Sequence, residues 1–140
     1  MAVMTVPEPG TSLPEWRVDG VAEQAMHTMA LFLRDPNPIH FDPVVTEAAG
    51  FGPRTVNQGP SNVSYVANML MAWAGDPGRI RRLKVRFEAN VFAGDDVTAS
   101  GEVTRVDETP DGWVAHCDVR LVRGDGARLL SGEAEVLLPA

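Results

Sequence analysis

Asp35, Asn37 and His40 lie within six consecutive positions, interleaved with Pro36, Pro38 and Ile39. A carboxylate can orient a nearby imidazole and raise its basicity, and an amide can hold a water or a substrate oxygen. The set therefore suits general acid-base work on a water molecule. The two prolines lower the entropic cost of holding such a geometry. The same residues also suit an architectural role, an Asx turn ahead of a buried histidine with Asp42 capping the next helix. A second place of interest is Gly59-Pro60-Ser61, where a helix is expected to open. Unpaired amides and the helix dipole favour a negative oxygen there. Gly59 allows close approach of a ligand to the backbone, and Pro60 has no N–H to lose in a first turn. Here too there is a plainer alternative, an ordinary helix start capped by Gly59 or Ser61.

The elements that position these residues are legible as changes of period. Val21, Ala25, Met26, Met29, Ala30 and Leu33 recur at three- and four-residue steps, which predicts a helix near residues 22–33. The proline-rich stretch from Arg34 to His40 must then be a loop. Asp42 before Pro43, with Gly50 behind, predicts a short helix from Pro43 to Ala49. After a loop over 51–59, Val63, Val66, Ala67, Leu70, Trp73 and Ala74 mark one apolar face of a long helix from Pro60 to Ala74. Beyond Gly75-Asp76-Pro77-Gly78 the period drops to two. Leu83, Val85 and Phe87 share the face of a strand expected to be buried, and Arg82, Lys84 and Arg86 share the other. Three more strands are expected at Val97–Val106, Trp113–Val122 and Arg128–Leu138, together forming an antiparallel meander. This order predicts an α+β domain, residues 16–140, with a long central helix packed on a curved antiparallel sheet. Residues 1–15, rich in proline, are expected to form an extended arm.

Composition bounds the function. At 140 residues the chain holds one domain, and 44% hydrophobic with 22% charged residues is ordinary for a globular protein. A net charge of −7 argues against general nucleic-acid binding. No apolar stretch approaches the roughly 20 residues of a membrane span, so no membrane association is expected. The N-terminal residues lack the pattern of a secretion signal, which points to the cytoplasm. Cys117, the single cysteine, excludes an intrachain disulfide and a multi-cysteine zinc site. His27 and His116 have no acidic or cysteine partner at ligand spacing and read as structural.

Asp35-x-Asn37-Pro38-Ile39-His40 resembles the signature loop of the MaoC-like dehydratases, a family that includes the type-2, (R)-specific enoyl-CoA hydratases. The similarity continues at Gly59 and through Val85-Arg86-Phe87 to Gly94-Asp95, covering residues 17–138. It implies a single hot-dog domain and reversible hydration of a trans-2-enoyl thioester to an (R)-3-hydroxyacyl thioester. Asp35 and His40 match the pair that activates water, Asn37 would position the loop or the water, and the Gly59 amide would bind the thioester oxygen. No cofactor or metal is implied; coenzyme A enters as part of the substrate. The chain departs from the family pattern at Leu33-Arg34, where a small residue and glycine are frequent, at Thr46 in place of Ala or Ser, and at Gln58 in place of His. These bear on the substrate more than on the reaction class.

Further residues are candidates for binding. Ser61, Phe51, Val56, Val63 and Tyr65 stand near the opening of the long helix as acyl-chain contacts, or as core. Arg82, Lys84 and Arg86 can meet the phosphates of coenzyme A, or form a solvated sheet face. A lone domain of this kind leaves a sheet edge and a helix face to cover, which predicts a homodimer or a heteromer with another hot-dog chain. Two other functions compete: a non-catalytic hot-dog subunit that binds an acyl thioester, and a thioesterase. The latter lacks its usual acid, since Ser61 to Ala74 contains no Asp or Glu.

Overall fold

The computed structural model describes residues 5–139. Met1 to Met4 of the expected arm and Ala140 lie outside the described residues. The chain forms β1 (Trp16–Val18), α1 (Glu23–Leu33), α2 (Pro43–Ala48), α3 (Gly59–Ala74), β2 (Ile80–Phe87), β3 (Val97–Thr109), β4 (Gly112–Arg123) and β5 (Arg128–Leu138). All three expected helices are present, with bounds within a residue. α2 opens on Asp42, whose Oδ1 accepts from the amides of Val44 and Val45. α3 buries Val66, Met69, Leu70 and Ala74, the three- and four-residue steps of one face. It stops at Gly75, which takes φ 77°, a left-handed conformation that costs glycine little.

One antiparallel sheet runs in the order β1-β3-β4-β5-β2. β3, β4 and β5 form the expected meander, but β2 does not continue it: it pairs with β5, from Ile80 opposite Val136 to Phe87 opposite Leu130. The outer edge of β3 is already occupied. Trp16 to Val18 pair there with Ala99 to Val97. Farther along, the amides of Gly10 and Leu13 donate to the carbonyls of Val103 and Gly101. The half-buried Leu83 and Val85 must still reach the core, and the free edge of β5 is where they can do so. The arm is thus part of the sheet from Gly10 onward, ahead of Trp16 where the domain is expected to begin. Leu13 is only 3% exposed and belongs to the core.

α3 lies across the inner face of this sheet and packs against every strand. Met26, Met69, Leu70, Leu121, Leu129 and Leu130 fill the space between them. Each such side chain contributes about 1.5–3 kcal/mol on burial. The sheet closes most tightly along the row Val85, Gly132, Val119, Gly101. A Cβ on Gly101 would stand 2.8 Å from the Asp118 carbonyl, and one on Gly132 would run into the Lys84 carbonyl and come within 2.9 Å of Val85 Cα. Glycine is what lets the strands approach there. Phe87 departs from its expected place. It is 54% exposed, because at the end of the edge strand its ring passes beyond the core and lies over the backbone of Gly59.

Candidate active site

The loop after α1 begins with a strained residue. Arg34 closes the helix in the left-handed region at φ 52°, which explains why glycine is frequent at this point in the family. The chain then reverses, with the Asp35 amide donating to the Ala30 carbonyl. Asp35 uses its two oxygens differently. Oδ1 accepts from the amide of Asn37 at 3.0 Å, the expected Asx turn, while Oδ2 lies 3.3 Å from Nε2 of His40. The Asx turn and the approach of a carboxylate to the imidazole thus occur together in this loop. Asn37 accepts from the Ile39 amide and caps a 3₁₀ turn over Pro38–His40 that aims the imidazole. Thr46, buried on α2, ties the turn down by donating its hydroxyl towards the carbonyls of Ile39 and Asp42.

His40 is only 8% exposed, and its Nδ1 lies 2.7 Å from the carbonyl oxygen of Val56. A carbonyl only accepts, so Nδ1 carries the hydrogen and Nε2 of the neutral ring is an acceptor. Nε2 and Asp35 Oδ2 thus present two acceptors side by side, a grip for the two hydrogens of one water. Asp35 keeps about a third of its side chain open to solvent (32%), so that water has access. Val56 supplies this backbone carbonyl and is itself buried.

At the start of α3, the Gly59 N–H has no acceptor among the described residues. The amides of Ser61 and Asn62 already donate to the Gln58 carbonyl, so Gly59 holds the available donor of the first turn. Gln58 stands at the N-cap position without capping through its side chain. Its Nε2 donates to the Met26 carbonyl and its Oε1 is buried without a partner. Ser61 is buried, Val63 and Tyr65 are half-buried against the core, and Phe51 is exposed on the preceding loop. The Tyr65 hydroxyl accepts from Asn57 Nδ2, which also donates to Asn62 Oδ1. Burial raises the Tyr65 pKa.

Arg82, Lys84 and Arg86 lie on the sheet face turned away from α3, opposite Glu135, Glu133 and Ser131. On that face His116 proves to have acidic partners: its Nε2 is 2.9 Å from Asp107 and its Nδ1 3.7 Å from Glu135. Register across three strands makes this cluster, and spacing along one strand does not reveal it. The Val56 carbonyl carries no signal in the sequence, since it meets His40 from 16 residues away along the chain. Four cavities among the described residues, about 230 to 540 Å³, lie on the outer sheet face and beside Asp95. None is lined by Asp35, His40 or Gly59. Among the described residues no group of three His, Cys, Asp or Glu side chains is placed to hold a metal ion. No helix among them is long and apolar enough to cross a membrane.

A helix wrapped by one curved antiparallel sheet, with an Asp/His pair on the loop between α1 and α2, defines a hot-dog protein of the dehydratase type. The family model of the MaoC-like domain matches residues 6–115. The chain is 34% identical over 121 residues to the (R)-specific enoyl-CoA hydratase of Aeromonas caviae, covering 86% of this chain and 87% of that one. Among solved structures, the (R)-hydratase from A. caviae involved in PHA biosynthesis superimposes with a TM-score of 0.84. It is 27% identical, with 97% of this chain and 100% of that one covered. A chain of the ChsH1-ChsH2 complex from Mycobacterium tuberculosis gives 0.78 at 28% identity, with 96% and 99% covered. The chain belongs to the MaoC-like family, and it is an enzyme of the hydratase/dehydratase class.

Proposed function

We propose that the protein catalyses the reversible hydration of a trans-2-enoyl thioester, with coenzyme A as the carrier, to the (R)-3-hydroxyacyl thioester. The observation that carries this reading is the 3.3 Å approach of His40 Nε2 to Asp35 Oδ2 with Nδ1 committed to Val56. A water donating to both acceptors turns its lone pairs outward, towards C3 of the substrate. As the C3–O bond forms, the pair takes one proton from that water and returns one to C2, and the C2–C3 π bond is consumed. The enolate charge that develops on the thioester oxygen is met by the Gly59 N–H, a contribution of up to about 3–4 kcal/mol. Asn37 holds the loop in register and is not itself a proton carrier.

In this reading Ser61, Phe51, Val56, Val63 and Tyr65 border the acyl group, and Arg82, Lys84 and Arg86 offer charge to the coenzyme phosphates. A second hot-dog chain covers the site. Support comes from the exposure of Asp35 and from Phe32, Phe41 and Val44, exposed apolar residues on the segments that flank the catalytic loop. The partner is a second copy or a different hot-dog chain, and the likeness to a chain of the ChsH1-ChsH2 complex keeps the second form in view. The lone, buried Cys117 suits a reducing compartment, in keeping with the cytoplasm. The test is loss of enoyl absorbance when the pure protein meets a short or a long trans-2-enoyl-CoA, followed by chiral analysis of the product. An (S)-product, or thiol release in place of hydration, contradicts the proposal.

A further inference from the structure

We propose that Arg54 is a positioning residue for His40, acting through its ion pair with Asp95 and the short segment Thr55–Asn57. Its kinetic consequence rests on the hydratase reading above; its structural consequence does not. The hydrogen on His40 Nδ1 is placed by one contact, the Val56 carbonyl at 2.7 Å. Whatever sets the position of that carbonyl therefore sets which ring nitrogen faces Asp35.

The segment that carries Val56 is short. The Val56 amide donates to the Ile39 carbonyl, the Asn57 amide to Val91, and the Ala93 amide to Thr55. This is a single isolated bridge, Val56 opposite Phe92, far less than a self-supporting ladder. Upstream, Gly50 and Gly52 turn the chain with φ 86° and 87°. Arg54 adds a side-chain anchor just ahead of the segment. Its Nη1 donates to Asp95 Oδ1 at 2.7 Å and to the Ala93 carbonyl at 3.1 Å, and its guanidinium stands 5.2 Å from the centre of the Phe92 ring. Asp95 in turn accepts the Phe92 amide on Oδ2 at 2.9 Å and is only 5% exposed as a side chain. One carboxylate thus staples the two facing segments, holding Phe92 with one oxygen and Arg54 with the other. Such charge-assisted bonds are shorter and stronger than neutral ones. The chain of contacts from Asp95 to Arg54 to Val56 ends on the imidazole.

Arg54→Met keeps the side-chain stem and removes the fork. Asp95 then retains the Phe92 amide and the Arg123 guanidinium, 3.7 Å away, so the variant folds. Two readouts test the proposal. In ¹⁵N-histidine NMR, wild-type His40 is expected as a single tautomer protonated at Nδ1, and Arg54→Met as a mixture of both tautomers. In enoyl-CoA hydration, kcat is expected to fall about tenfold with KM within about twofold, and the same substitution in a His40→Ala background to cost nothing further. An unchanged His40 tautomer in Arg54→Met overturns the proposal, as does an equal tenfold loss in the His40→Ala background. The NMR readout needs no substrate. A shifted tautomer in a protein that hydrates no enoyl-CoA sinks the hydratase reading and leaves Arg54 in its role.

Discussion

Which nitrogen of His40 carries the hydrogen decides what the ring can do. With Nδ1 donating to Val56, Nε2 is free to accept from the water that the proposed mechanism shares between it and Asp35. Asp35→Asn removes the charge and one acceptor, and His40→Ala removes the ring. Each is expected to cut hydration at least about a hundredfold while circular dichroism and Tm show a folded protein. Near-wild-type turnover in either removes the mechanism. Arg34, left-handed at φ 52°, makes a second residue-scale prediction: Arg34→Gly relieves the strain and is expected to stabilise by about 1 kcal/mol, raising Tm by about 3–5 °C in a thermal melt. At this scale the sequence was most informative where the chemistry is local. Asp35, Asn37 and His40 share one loop, so their types and spacing already suggest a water-activating pair. The Val56 carbonyl lies 16 residues away, and nothing in the type of a valine announces that its backbone oxygen sets a tautomer.

At the scale of elements, period located α1, α3 and the strands β2 to β5, and Asp42 before Pro43 with Gly50 behind located α2. What neither located is which edges meet. β2 pairs with β5 because β1 and residues 10–13 already occupy the outer edge of β3, and these are short or irregular segments without alternation. The same blindness to register separated His116 from Asp107 and Glu135, and put Phe87 in the core when it lies over Gly59. The closure between β2 and β5 depends on Gly132, where a Cβ would meet the Lys84 backbone. Gly132→Ala is expected to destabilise by about 3 kcal/mol, the upper range for overpacking, read as a lowered midpoint in urea. A midpoint within error of wild type would mean that the edge strand yields at no cost. Because β2 carries Phe87 to the start of α3, the same variant is expected to weaken substrate binding as well.

For the whole molecule, the buried thiol of Cys117 makes stability depend on alkaline pH. Burial, with the Asp118 charge adding to it, pushes this thiol up to about 11 from an ordinary 9.0. The folded state therefore holds the proton that the unfolded chain releases, and stability is lost as pH rises from about 9 to 11, by up to about 2 kcal/mol. Cys117→Ala is expected to flatten that slope in urea titrations at pH 8.5 and 10.5. Tyr65, raised by burial, acts in the same direction and leaves a residual dependence. The exposed Phe32, Phe41 and Val44, with an Asp35 open to solvent, are the features behind the proposal that a second chain finishes the site. Composition hints at this only weakly, since exposed apolar residues carry no label in a sequence. The most direct test of the central claim is the absorbance of a trans-2-enoyl-CoA followed with wild-type protein and with His40→Ala side by side. Loss with the wild type, at least about a hundredfold slower in the variant and yielding the (R)-3-hydroxyacyl thioester, is the predicted result. Equal rates in the two proteins would contradict it.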